Sequence, residues 1–180
     1  MEQNIEKEYK VLLTKNQYNH FIKIYPFTKT VHQTNTYYDT PNQDIKKMDG
    51  ALRIRTIENK NIFTLKIKRD ASSHFEYEKE ISCTSIDEIK DAEILEWLQA
   101  YDIPPKVHPI VSFSTIRKIW NTDEAEISLD MTSYENHIDY EIEYEYKKNH
   151  DGLQKFQQIL NTIHVIYKKN CPSKIARAFY

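Results

Sequence analysis

Several short stretches of the chain alternate apolar and polar residues, which is the pattern of β-strands with one buried face. The stretches with this pattern are 5–13, 33–40, 51–57, 62–68, 74–82, 110–120, 124–131 and 138–146. The polar turn Glu58-Asn59-Lys60-Asn61 separates two of them and predicts a hairpin. Short connections of this kind favour an antiparallel barrel or a strongly rolled sheet over a βαβ fold.

Three other segments show the spacing of helices. Thr14 and Gln17 have the form of a capping box and predict a helix over 14–25. Ser85 and Glu88 resemble a second box and predict a helix that runs to about 100, before Pro104-Pro105. A third helix is predicted from Asp151. The apolar faces of the second and third helices are predicted to contain Ile86, Ile89, Ile94, Leu95 and Leu98, and Leu153, Phe156, Ile159, Leu160 and Ile163. We therefore expect an α+β protein with one domain, spanning residues 1–180.

The polar faces of the predicted strands carry charges that are mostly of one sign. The acidic faces contain Glu6 and Glu8; Glu76, Glu78 and Glu80; Glu124, Glu126 and Asp130; and Glu141, Glu143 and Glu145. The basic faces contain Arg53 and Arg55, and Lys66 and Lys68. Two carboxylates at positions i and i+2 lie ~7 Å apart, which costs about 2 kcal/mol at an effective dielectric constant of about 20. Because this repulsion recurs on several strands, we infer that groups of opposite charge compensate it.

Two arrangements are compatible with these faces. An ordinary sheet would bury its apolar face and leave the charged face in water. A closed barrel with its charged faces inward would instead place acidic and basic walls across one cavity, with helices over the outer apolar faces. Carboxylate clusters are hard oxygen ligands suited to Mg²⁺ or Mn²⁺, and Arg and Lys bind phosphate oxygens. We favour the barrel and predict that it binds metal ions together with a polyphosphate.

Composition narrows the function further. The 180 residues carry a formal net charge of -2, so bulk binding of nucleic acid or of an anionic membrane is not expected. The two glycines, Gly50 and Gly152, are too few for a P-loop or a Rossmann phosphate turn. Cys83 and Cys171 lack metal or redox spacing, and the N-terminal sequence lacks a signal-peptide pattern, so a cytoplasmic monomer or homodimer is expected. The histidines, His74 among them, show no metal-binding spacing, and we interpret them as surface or turn residues.

Short motifs along nearly the whole chain follow one another in a specific order. Residues 6–10 form an E-x-E-x-K sequence, and the later segments are YYDT, LRIR, FTLKIK, FEYEKEI, STIRKIW, ISLDM, YEIEYE and SKIAR. E-x-E-x-K alone is a weak signal, whereas the ordered set is specific. The set resembles the CYTH, or triphosphate tunnel metalloenzyme, superfamily. This resemblance implies an eight-stranded antiparallel β-barrel with a few flanking helices, Mg²⁺ or Mn²⁺ as cofactor, and a triphosphate-containing small molecule as partner.

The resemblance also implies roles for individual residues. The metal ligands would be Glu6, Glu8, Asp130, Glu141 and Glu143, which together with Lys10 would form the catalytic set. The phosphates would be held by Lys10, Arg53, Arg55, Lys66, Lys68, Arg117, Lys174 and Arg177. Glu78 and Glu80 match an acidic strand whose role varies among members. Thr115 is a departure, because some members carry a second basic residue two positions before the arginine that corresponds to Arg117.

The leading hypothesis is hydrolysis of inorganic, nucleoside or thiamine triphosphate by in-line attack of a metal-activated water. One alternative is a class IV-type adenylyl cyclase, which converts ATP to cyclic AMP and needs an adenine pocket that the sequence does not reveal. Another is a non-catalytic module that binds polyphosphate or nucleotide in the same tunnel. The 5′-triphosphate end of RNA is a further substrate that the sequence leaves open.

Overall fold

Antiparallel strands form a closed barrel. The computed structural model describes residues 4–104 and 106–180; the expectations for the first three residues and for Pro105 lie outside the described residues. Within the described residues the strands are β1 (Asn4–Leu13), β2 (Lys29–Asp39), β3 (Ala51–Ile57), β4 (Lys60–Lys68), β5 (Ser73–Ile81), β6 (His108–Asn121), β7 (Ala125–Ser133) and β8 (Ile138–Tyr146). Their order around the barrel is β1-β5-β4-β3-β2-β6-β7-β8. The predicted eight-stranded antiparallel barrel is confirmed.

Strand β1 closes the barrel because its two halves pair with different strands. Residues 4–7 pair with β5, and this register places Glu6 opposite His74. Residues 8–13 pair with β8, and this register places Glu8 opposite Glu145 and Lys10 opposite Glu143. The E-x-E-x-K segment therefore lies where β5, β1 and β8 meet. Its alternate side chains face the interior, as the period-two pattern predicts.

The apolar faces of the strands point outward and are covered by helices. The helices are α1 (Lys15–Ile24), α2 (Asp44–Lys47), α3 (Ala92–Ala100), α4 (Gly152–Asn161) and α5 (Lys174–Arg177). Trp97 of α3 belongs to a core with residues of β3, β4 and β5, while Phe21 of α1 and Phe156 of α4 belong to a core with β7 and β8. Burying one such side chain contributes ~1.5–3 kcal/mol. These two outer cores leave the barrel interior to polar and charged groups.

One of the predicted capping boxes forms and the other does not. In the first, the backbone N–H of Thr14 donates to Gln17 Oε1 at 2.9 Å, and that of Gln17 donates to Thr14 Oγ1 at 3.2 Å. Ser85 makes no capping bond, and only a 3₁₀ turn, Ile86–Glu88, follows it. Asp91 caps α3 instead, because its carboxylate accepts bonds from two backbone N–H groups of the first turn. The predicted helix start at Ser85 is wrong.

Two leucines predicted on buried helix faces are exposed. Leu95 is 38% exposed because Ile94 and Leu98 define the packed face of α3, and Leu95 lies about 100° from Ile94 around the helix. Leu153, 43% exposed, lies in the first turn of α4, at the end of the face that Phe156 occupies. No helix among residues 4–104 and 106–180 combines the length and the apolarity that a membrane crossing requires.

Candidate active site

The barrel encloses a cavity of about 320 Å³. More than half of the residues that line it are charged. The predicted site residues in its lining are Glu6, Glu8, Lys10, Arg53, Arg55, Lys66, Glu78, Arg117, Glu143 and Lys174. Because acidic and basic side chains face the same space, the cavity can hold a cation and an anion together.

One wall carries three carboxylates that are close enough to share a metal ion. Asp130 of β7 is opposite Glu141 of β8, and Glu143 follows two positions later on the same face. One oxygen of each carboxylate lies within 4.8 Å of the other two. Asp130 and Glu141 have no exposed surface, so they lie behind the cavity lining, where Glu143 is found. A cluster of carboxylate oxygens of this kind suits Mg²⁺ and Mn²⁺.

Lys174 and Arg117 compensate these buried carboxylates. Lys174 Nζ lies 2.9 Å from Asp130 and 2.6 Å from Glu143, and it also contacts Glu141. Arg117 donates two hydrogen bonds to Asp130, at 2.9 and 2.7 Å, and also contacts Glu143. Burial alone would raise the pKa of Asp130 and of Glu143, but Arg117 and Lys174 outweigh it and hold both pKa values below the ordinary range. For Glu141, burial dominates and raises the pKa.

Two residues near the C-terminus contact Glu141 as well. Arg177 Nη1 donates to Glu141 Oε2 at 2.7 Å, and Arg177 Nε donates to Asp139 at 2.7 Å. The Cys171 thiol donates to Glu141 Oε2 at 3.0 Å, and burial raises the pKa of this thiol. Arg177 is buried and does not line the cavity. Its contacts place it behind Glu141, whereas its predicted contact with phosphate stays a prediction.

A second group of potential metal ligands lies where β1 meets β5. Glu6, Glu8 and His74 each contribute one potential ligand atom, and these three atoms lie within 4.8 Å of one another. The interpretation of His74 as a surface or turn residue is wrong, since it lies in β5 and lines the cavity. The period-two rule places His74 on the same strand face as Glu76 and Glu78, but it could not show that Glu6 and Glu8, which are on another strand, are its neighbours. Burial lowers the pKa of His74, and the positive charge of Lys66 adds to this effect.

Lysine ammonium groups bind both carboxylates of β1. Lys66 Nζ donates to the two oxygens of Glu6 at 2.6 and 2.5 Å and lies 3.0 Å from Glu76. Lys10 Nζ donates to Glu8 at 2.6 Å. Burial alone would lower the pKa of Lys10, but nearby carboxylates, Glu8 above all, raise it to about 12. Nearby carboxylates likewise raise the pKa of Lys66, so both lysines are charged and paired with acids.

Arg53 and Arg55 of β3 form a basic wall. Arg53 is buried and donates a hydrogen bond to the Tyr37 hydroxyl at 3.4 Å. Arg55 donates to Asn35 at 3.1 Å but makes no ion pair with any residue that the structure describes. Burial, followed by the like charges of Arg53 and Arg117, lowers the pKa of Arg55 to about 10, which leaves it charged at neutral pH. Arg55 is thus a cation in the cavity that no carboxylate of the described residues neutralises through an ion pair.

Two other predicted site residues lie outside the cavity lining and, unlike Asp130, Glu141 and Arg177, are exposed. Lys68 is exposed and pairs with Asp49 at 2.7 Å, and Glu80 is exposed and pairs with Lys60 at 2.8 Å. Glu78 does line the cavity, at a more exposed position than Glu6 or Glu8. The functions assigned to Lys68, Glu78 and Glu80 stay predictions.

Thr115, the position at which the sequence departs from the motifs of the resemblance, lies in the barrel wall. It is buried, and its hydroxyl is 3.0 Å from that of Thr132. The effect of this departure on substrate binding stays a prediction.

Several cavity residues received no role from the sequence. Glu76 and Glu145 extend the acidic faces on which they were recognised, and burial, together with nearby Glu6, raises the pKa of Glu145 to about 8. Asn35 and Tyr37 line the cavity from β2. The period-two rule that identified the charged faces would also have placed these two residues on one face, but their lack of charge concealed them.

Comparisons with known proteins agree with this geometry. A family model described as "CYTH domain" matches residues 4–179. A Bacillus subtilis protein named "Putative triphosphatase YjbK" is 30% identical over 185 residues, which cover 100% of this chain and 96% of that protein. The structure of "a putative adenylate cyclase" from Bacillus halodurans has a TM-score of 0.86 at 29% identity, with 100% of both chains covered. A Hippeastrum protein, described as a "putative adenylyl cyclase" with a dominant triphosphatase activity, shares the fold at a TM-score of 0.75 and 21% identity, covering 97% of this chain and 94% of its own.

Proposed function

The chain belongs to the CYTH domain family, and on this premise we propose that it is a metal-dependent triphosphatase. The substrate would be inorganic triphosphate, or a nucleoside or thiamine triphosphate, hydrolysed inside the barrel. One observation carries the proposal: carboxylates from both groups of potential metal ligands line a single cavity of about 320 Å³ together with Arg and Lys side chains that could bind phosphate. The name of the Bacillus subtilis relative supports the same activity. The cytoplasmic location and the monomeric or homodimeric state stay predictions.

The acidic groups fit a divalent cation. Asp130, Glu141 and Glu143 supply clustered oxygen donors, and buried carboxylates are stable only with compensating positive charge. In the metal-free protein Lys174 and Arg117 provide that charge. A bound Mg²⁺ or Mn²⁺ would neutralise part of the phosphate charge and lower the pKa of the attacking water.

The lysines in the cavity would change partners when substrate binds. Lys66 and Lys10 pair with Glu6 and Glu8. If these carboxylates ligate a metal ion, the two ammonium groups are released into the cavity and become available to phosphate oxygens. The same lysines would thus stabilise the empty site and bind the substrate in the occupied one.

The arginines would act on the reacting phosphate. In hydrolysis, a water oxygen bonds to the terminal phosphorus, the water loses a proton, and the bond to the bridging oxygen breaks. The products are phosphate and the remaining diphosphate, which is free for inorganic triphosphate and is still attached to the nucleoside or thiamine for the other substrates. Negative charge is spread over the equatorial oxygens of a loose transition state. Arg53, Arg55 and Arg117 line the cavity and can donate charge-assisted hydrogen bonds to these oxygens. Because Arg55 forms no ion pair with a described residue, it can bind these oxygens without first breaking one.

A cyclase is the second candidate, and the name of the Bacillus halodurans protein supports it. A cyclase would use the ribose 3′-hydroxyl as nucleophile on the α-phosphorus of ATP and would release diphosphate. The predominance of charged residues in the cavity lining favours phosphate binding over burial of a purine ring, so we rank triphosphatase first. A third possibility is a module that binds polyphosphate without turnover. Such a module needs cations for the phosphates but has less need of two separate groups of acidic side chains than an enzyme has.

A phosphate-release panel tests the proposal. The purified protein would receive tripolyphosphate, thiamine triphosphate or ATP with Mg²⁺, with Mn²⁺ or with a chelator, and the products would be separated chromatographically. We expect metal-dependent phosphate release, lost in Glu8→Gln and retained in the control Glu96→Gln, which alters an exposed residue of α3. Cyclic AMP with diphosphate would indicate the cyclase, and metal-dependent binding without any product would indicate the binding module.

A further inference from the structure

His74 is a cavity residue with a potential metal-ligand side chain that the proposed function does not use. It brings an imidazole nitrogen to a position where the neighbouring potential ligands, Glu6 and Glu8, are carboxylates. The other group of potential ligands, formed by Asp130, Glu141 and Glu143, has oxygen donors alone. The two groups therefore differ in donor chemistry, although each contributes at least one side chain to the lining of the same cavity.

The backbone fixes the position of His74. It is directly opposite Glu6 in the β1–β5 register, so the two side chains leave the sheet on the same side. The turn before it is held by Asp70, whose carboxylate accepts bonds from the backbone N–H groups of Ser72 and Ser73 at 2.9 Å each. The Ser72 carbonyl in turn accepts a bond from the backbone N–H of Glu8 at 2.9 Å. The imidazole is thus held beside both glutamates by main-chain geometry.

The ring also has a nitrogen that other described residues leave without a partner. His74 Nδ1 is buried and makes no hydrogen bond within residues 4–104 and 106–180. Buried polar atoms are satisfied in the great majority of cases, so an unpartnered nitrogen on a ring that belongs to a group of potential ligands indicates that the ring binds a further group. Glu76 Oε2, which also lines this part of the cavity, is buried without a hydrogen bond too, although Lys66 lies 3.0 Å away.

We propose that His74 is a ligand of the metal ion held by Glu6 and Glu8, and that its nitrogen makes this site prefer Mn²⁺ or a later transition metal to Mg²⁺. The inference rests on the proposed function only in that Glu6 and Glu8 bind metal. Mg²⁺ favours an all-oxygen octahedron, whereas imidazole suits the transition metals. The group of Asp130, Glu141 and Glu143 keeps the all-oxygen chemistry. The barrel thus contains two metal positions of different selectivity.

Pulsed electron paramagnetic resonance of bound Mn²⁺ tests the proposal directly. The intact protein would be loaded with Mn²⁺ and measured for hyperfine coupling to an imidazole ¹⁴N. Calorimetric titrations would give the Mn²⁺ and Mg²⁺ affinities of the same samples. His74→Gln removes the imidazole, and His20→Ala is the matched control because His20 is exposed on α1.

We expect ¹⁴N coupling in the wild type and in His20→Ala, and its loss in His74→Gln. The Mn²⁺ affinity of the affected site should fall at least ~10-fold in His74→Gln, while Mg²⁺ affinity changes less than about threefold. Wild-type Mn²⁺ without ¹⁴N coupling would overturn the proposal, whether or not the variant folds. Parallel losses of Mn²⁺ and Mg²⁺ affinity would also overturn the assigned selectivity. Neither readout depends on hydrolysis. A protein that releases no phosphate would therefore contradict the proposed triphosphatase activity without contradicting the role of His74.

Discussion

Replacing Arg55 by methionine should leave the metal-free protein at least as stable as the wild type. Burial and the like charges of Arg53 and Arg117 lower the pKa of the guanidinium from 12.5 to about 10. This change corresponds to a free-energy cost of the charged form of at most roughly 3 kcal/mol. Methionine retains an apolar stem and removes this charge, but it also removes the hydrogen bond to Asn35, a loss of about 1 kcal/mol. The expected change in the free energy of unfolding is therefore a gain of about 0 to 2 kcal/mol.

The same substitution should impair the reaction with triphosphate. A hydrogen bond between a guanidinium and a charged partner contributes about 1.5–3 kcal/mol, which corresponds to a loss of roughly 10- to 100-fold in kcat/KM. Stability and activity should thus change in opposite directions. That combination is characteristic of a cation placed for a ligand rather than for the fold.

Urea unfolding with a chelator present, and steady-state phosphate release from tripolyphosphate, would measure the two effects. Lys155→Met is a suitable control, because Lys155 is an exposed cation on α4, away from the cavity. If Arg55→Met lowers the free energy of unfolding by more than about 1 kcal/mol, the residue stabilises the fold and the reasoning fails. An unchanged kcat/KM would equally refute a contact between Arg55 and the substrate.

Two further predictions concern the charges that are neutralised within the protein. Arg117→Met should lower the free energy of unfolding of the metal-free protein by about 3 kcal/mol in urea titrations, because Asp130 and Glu143 lose one of their counter-ions; an effect under about 1 kcal/mol would contradict this role. The pKa of Glu145 is raised from 4.5 to about 8, so the folded protein binds the proton of this carboxyl group more tightly than the unfolded chain does. The resulting contribution to stability is complete below pH 4.5 and is lost as the pH rises through 8. The free energy of unfolding of Glu145→Gln should therefore exceed that of the wild type by up to about 5 kcal/mol at pH 9 in unfolding experiments with a chelator, and this advantage should disappear towards pH 5; a pH-independent difference would count against it.

The strands and their inward faces could be predicted because a strand has a strict period of two. Arg53 and Arg55, for example, had to share a face whatever the tertiary structure, and charge made that face recognisable. Helix starts were harder to predict. Ser85 and Asp91 are both plausible caps, and the packing of Ile94, Trp97 and Leu98 against the barrel, which the sequence does not display, decides between them.

Site residues that lie on one strand could be grouped from the sequence, but contacts between residues of different strands could not be predicted. Glu6 and Glu8 follow from spacing on one strand, whereas the proximity of His74 depends on the register between β1 and β5. The resemblance identified Lys174 as a site residue but did not show what holds it in place. The structure shows that Lys174 contacts Asp130, Glu141 and Glu143. Residues that act through register therefore became visible only in the folded structure.

A crystal structure with tripolyphosphate and Mn²⁺, combined with anomalous diffraction at the manganese edge, would test the central claim most directly. We predict manganese peaks beside Glu143 and beside Glu8, with phosphate oxygens in contact with Arg55 in the same cavity. Tripolyphosphate bound on the outer surface of the barrel, or metal peaks remote from both carboxylates, would contradict the account.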